Sequence, residues 1–126
     1  MKKAWLNDWP WETVVTINAA LCKEKKALHK PTSDGYDPAL KIWESARARE
    51  LTLRETFDVC RKCHKLAPFC FYNGNTFAAI GRTIIQDILH TMPPVKAHNF
   101  RSVVGHYIAG TIGSKEMTEA LADLEV

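Results

Sequence analysis

The sequence has no run of roughly eighteen or more apolar residues, the minimum for a membrane-spanning helix, so no helical span is expected. It also lacks a dominant charge. Seventeen Lys and Arg against fourteen Asp and Glu leave a formal net charge of +3, too mild an excess to demand a nucleic-acid or membrane partner. Internal repeats, low-complexity tracts and linker-like stretches are missing, so the 126 residues read as a single domain. The opening stretch MKKAWLNDWPWE starts with Lys2 and Lys3, but Asn7, Asp8 and Glu12 interrupt any apolar run, unlike a signal peptide. A cytoplasmic location with four reduced cysteines is the resulting expectation. No second Cys-x-x-Cys and no His-x-x-x-His is present, so a complete zinc motif is also lacking.

What is present is helical patterning. Trp11, Val14, Val15, Leu21, Cys22 and Leu28 recur at helical spacing and predict a helix over about 10–29, opened by Asp8 and Pro10. Pro31 and Asp34-Gly35 mark a loop. Asp37-Pro38 then starts a second helix to about Glu50, with Leu40, Ile42, Trp43 and Ala46 apolar. Thr52-x-x-Glu55 reads as a capping box for a third helix, from Leu53 to about Lys65, the alternative being a continuation of the second helix with a bend. An irregular apolar loop occupies 66–75, with Pro68 and an Asn73-Gly74 turn. Asn75 is expected to cap a fourth helix from Thr76 to about His90, whose wide apolar face suggests burial on more than one side. A fifth helix spans about Ala97 to Ala109 and stops at Gly110, and Ser114 caps a short sixth. The fold class is therefore all-α, a compact bundle of five to six helices. Trp5, Trp9 and Trp11 either dock the first residues onto that bundle or present a surface to a partner.

The stretch CRKCHKLAPFC holds the first chemistry-bearing cluster. On a helix, Cys60, Cys63 and His64 stand at i, i+3 and i+4 and share a face. Thiolates with an imidazole are good zinc ligands, so these three are the candidate metal residues, with Cys70, Cys22, His98 or His106 as a fourth. An iron–sulfur cluster would need all four cysteines at tighter spacing. Covalent haem would need export, and a redox pair would sit at a helix start rather than near its end. The competing reading makes the thiols small core hydrophobes on the stripe of Leu53 and Phe57.

The second cluster is the turn before the fourth helix. Backbone N–H groups converge at Gly74, Asn75 and Thr76, the kind of place that holds a phosphate or carboxylate. Phe71, Gly74 and Asn75 are arranged as in the motif His-x-Phe-x-Asp-Gly-Asn-Gly-Arg, and this short stretch resembles the Fic/Doc proteins. The resemblance implies an all-α fold and a cradle for nucleotide phosphates between two helices. Phe69 stands where that family has its catalytic His, Asn73 where it has an acidic metal ligand, and Thr76 and Phe77 replace the glycine and arginine. The groups that perform the family's chemistry are thus missing, and what the resemblance leaves is a catalytically silent scaffold with an anion site.

His98 and Arg101 share a helix face and form a further candidate anion patch, while Arg82 and Asp87 read as surface or ion-pair residues. The basic residues from Lys23 to Lys65 are interspersed with Glu44, Glu50, Glu55 and Asp58, so a nucleic-acid partner is not expected. No catalytic constellation emerges. The expected function is binding rather than catalysis: of a protein partner, of a second copy as a homo-dimer, or of a small ligand. The alternatives are a zinc protein built on Cys60, Cys63 and His64 and the Fic-like scaffold.

Overall fold

The computed structural model describes residues 2–124. Seven helices account for most of the chain: α1 (Trp11–Glu24), α2 (Tyr36–Arg47), α3 (Leu53–Leu66), α4 (Asn73–Ile84), α5 (Gln86–Leu89), α6 (Pro94–Ile108) and α7 (Ser114–Ala122). Among the described residues β-pairing is limited to two isolated bridges, Lys3 with Leu51 and Pro31 with Phe69. The all-α class follows the periodicity. The expected five to six helices become seven because the fourth breaks.

That break falls at Ile85, where the expected helix to His90 divides into α4 and the one-turn α5. No glycine or proline announces it. Two residues earlier the Thr83 hydroxyl donates back to the Ala79 carbonyl, a bond that bends helices, and Ile85 is fully buried at the corner. α4 also begins earlier than expected, at Asn73 rather than Thr76, and Asn75 is not its cap. The αL position falls on Tyr72 (φ +61°), and the Asn73 side chain folds back on Phe69, accepting from its N–H at 2.9 Å and donating to its carbonyl at 2.7 Å. The irregular apolar stretch is thereby shortened to 67–72.

The first helix stops at Glu24 rather than near 29. Lys26 takes the left-handed conformation (φ +56°), and the Ala27 N–H reaches the Cys22 carbonyl at 2.8 Å, closing a Schellman turn. Asp8 does not cap this helix. Its N-terminus is served from afar, the Trp11 N–H donating to Glu44 Oε2 at 3.1 Å. The Thr52–Glu55 capping box forms as expected, and Gly110 (φ +81°) ends α6 with a second Schellman turn, Thr111 N–H to His106 carbonyl at 2.9 Å.

α4 packs against α1, α3 and α6, so its wide apolar face is used on several sides. Phe77 and Ile80 are fully buried there, and Gly81 lets α6 approach: a Cβ at that position would lie 2.3 Å from Ile108 Cδ1. The three tryptophans dock. Trp11 sits edge-on to Tyr36 and Trp43 and stacks on Phe69, and the Trp9 carbonyl accepts from Trp43 Nε1 at 2.7 Å. Leu6 is fully buried, and backbone bonds between Lys3 and Leu51 hold the first residues across the start of α3.

Candidate anion-binding site

Cys60 and Cys63 do share a face of α3, and that face is core: both residues are fully buried. Burial pushes the Cys60 thiol well above its usual range and the Cys63 thiol up to about 12. Cys63 Sγ donates to the Ala39 carbonyl at 3.6 Å. Neutral thiols of this kind are poor nucleophiles. His64 turns away to lie on Gly74, where a Cβ would meet its Cε1 at 3.3 Å, and burial, with Arg61 and Lys65 nearby, lowers its pKa. Cys22 is buried, its thiol raised by burial and by Cys70, and Cys70 itself is exposed. Among the described residues no three His, Cys, Asp or Glu side chains gather where an ion could sit.

The Gly74–Asn75–Thr76 start of α4 is occupied by the fold's own bonds. Thr76 is fully buried, its hydroxyl donating to the Tyr72 carbonyl at 2.7 Å and accepting from Asn18 Nδ2 at 3.0 Å. Asn18, also fully buried, donates to the Phe71 carbonyl at 2.8 Å and lies 2.8 Å from His29 Nδ1. Gly74 is closed over by His64 and Ala109. Asn75 alone of the three is exposed.

A different surface brings unpaired cations together. At the end of α4 the Arg82 guanidinium crosses to α6 and lies flat on Gly105, so close that a Cβ there would stand 2.3 Å from Nη2 and 2.7 Å from Nε. One turn back on α6 is Arg101. With Thr83, Gln86 and His90 these two line a cleft of about 400 Å³ floored by Ala79 and Leu89. The corner at Ile85 matters here, because it carries Gln86, Leu89 and His90 round to form one wall.

The electrostatics of the cleft are one-sided. Among the described residues no carboxylate lines it. The ion pairs among the described residues are Glu44–Arg47 and Arg54–Asp58, and neither involves Arg82 or Arg101. Arg82 Nε is buried without a hydrogen-bond partner. Burial and then the Arg101 charge pull Arg82 below the usual guanidinium value. A guanidinium presents five donors in a planar fork suited to phosphate or carboxylate. Two of them line this cleft, and among the described residues neither takes part in an ion pair.

Arg101 was expected in an anion patch with His98, but His98 lies outside the cleft, exposed on α6, and Arg82 takes its place. The overlooked signal is local charge segregation. Between Asp58 and Glu116 the single acidic residue is Asp87, against Arg61, Lys62, Lys65, Arg82, Lys96, Arg101 and Lys115. A whole-chain charge of +3 conceals this, because the acidic residues lie mostly before and after that stretch. The large apolar side chains left exposed are Leu28, Phe71 and Val95. No described helix is long and apolar enough to cross a membrane. Comparison of the chain with protein-family models, with curated proteins and with solved structures returned no match.

Proposed function

We propose that this chain is a binding protein for a small, doubly negative ligand, a phosphate ester or a similar dianion, held between Arg82 and Arg101. The observation that carries the reading is the pair of arginines on one cleft, with no carboxylate among its described lining residues and one guanidinium laid against Gly105. The cleft volume of about 400 Å³ is in the range of small-molecule sites. Charge-assisted bonds from a guanidinium to phosphate oxygens are among the stronger polar contacts, and Thr83, Gln86 and His90 add neutral or titratable partners around the ligand.

Calorimetric titration with pyrophosphate and with inorganic phosphate tests it. Saturable binding is expected, tighter for pyrophosphate. Arg101→Gln, at an exposed position, should weaken it roughly ten- to 150-fold, the loss of one charged hydrogen-bond donor of about 1.5–3 kcal/mol. No saturable binding at millimolar anion, or binding that Arg101→Gln leaves intact, would refute the assignment.

A further inference from the structure

A second concavity, of about 450 Å³, opens where the N-terminal segment crosses α3, α5 and α7. It shares no lining residue with the arginine cleft. Its walls are Trp5, Leu53, Ile88, Leu121 and Leu124, contributed by four separate segments, so its interior is mostly apolar. Sites of this size that take small organic ligands combine such walls with a few placed polar groups.

The charge on the lining says what kind of molecule fits. The charged residues on the lining are both cationic, Lys3 and Arg54. Arg54 is engaged elsewhere, its guanidinium donating to Ser114 Oγ at 2.6 Å and Thr118 Oγ1 at 3.0 Å and pairing with Asp58 at 3.4 Å. Lys3 has no carboxylate within ion-pair distance among the described residues, and its Nζ stands 5.0 Å from the centre of the Trp5 ring. Its backbone is paired with Leu51 beside the cavity, and its exposed side chain is part of the lining.

We infer that this cavity is a binding site for an anionic amphiphile, a medium-chain carboxylate whose tail lies among Leu53, Ile88 and Leu121 and whose head meets Lys3. The inference does not depend on the arginine cleft.

Calorimetric titration of the full chain with decanoate, and with 1-decanol for comparison, tests the assignment. Decanoate should bind saturably with one site per chain, and decanol at least tenfold more weakly. Leu121→Trp, which fills the cavity, should abolish decanoate binding. Lys3→Glu should weaken decanoate tenfold or more and leave decanol unchanged. Because the Lys3 side chain takes no part in the backbone bridge, that variant decides the matter should Leu121→Trp fail to fold. Arg101→Gln should leave decanoate binding unaltered. Absence of saturable decanoate binding, or binding indifferent to Lys3→Glu, would overturn the inference. Equal affinity for decanoate and decanol would remove the anionic head from it, and loss of decanoate binding in Arg101→Gln would move the ligand to the other site.

Discussion

Replacing Gly105 with alanine separates the anion site from the fold that carries it. The added Cβ would stand 2.3 Å from Arg82 Nη2, 2.7 Å from Nε and 2.8 Å from Cζ, all well inside van der Waals contact. These three atoms are the far end of a flexible side chain, so the guanidinium swings off α6 by an ångström or more while the helices stay in place. Alanine in a helix interior gains about 0.5–1 kcal/mol over glycine. Arg82 loses its seat on α6, which offsets part of that gain. Net stability should therefore change by less than about 1 kcal/mol in either direction. Anion affinity should fall much further. Displacing one guanidinium from a two-arginine site forfeits a charged hydrogen bond of about 1.5–3 kcal/mol, or roughly ten- to 150-fold in the dissociation constant. Urea unfolding and pyrophosphate calorimetry on the same preparation read the two effects. An intact variant that binds pyrophosphate within twofold of the parent would show that Arg82, as seated on Gly105, does not contribute to binding.

Three other outcomes follow from the packing. Gly81→Ala meets Ile108 Cδ1 at 2.3 Å and Val104 Cγ1 at 3.3 Å in the α4–α6 contact, so it should destabilise the chain by about 1–3 kcal/mol in urea unfolding, opposite to the mild effect at Gly105. With a thiol-specific chromogenic reagent the native protein should show one fast thiol, Cys70, while Cys22, Cys60 and Cys63 react only on unfolding; rapid native labelling of Cys60 would contradict its burial. The His64 pKa is lowered from 6.5 by burial, so the folded state favours the neutral ring. Its contribution is fully present above the unfolded value and is lost as pH falls from about 6.5 through the lowered folded value, and His64→Gln should flatten that part of the stability–pH curve.

Helix existence was legible where the apolar spacing was regular, as in α1, α3 and α6, and where a local device marked an end, as Thr52 with Glu55 and Gly110 do. At Lys26 and Tyr72, beside two of the shifted boundaries, the left-handed position falls on a residue other than glycine, and nothing in composition marks it. The corner at Ile85 likewise depends on core packing rather than on a breaker. Cys60 and Cys63 lie on one buried face of α3, as their spacing implies, while His64 turns away to Gly74, and residue type alone does not separate metal ligands from core filler. Arg101 lines a cleft with Arg82 rather than with His98. Arg82 joins it only through the crossing of α4 and α6 over Gly105, a contact between residues 23 apart in the chain.

The most direct measurement is side-chain 15N NMR of the arginine Nε–Hε groups during a pyrophosphate titration. Saturable shifts confined chiefly to the Arg82 and Arg101 signals, with the remaining arginines unmoved, are the predicted result. Shifts spread evenly over all arginines, or none at Arg82 and Arg101, would contradict anion binding in this cleft.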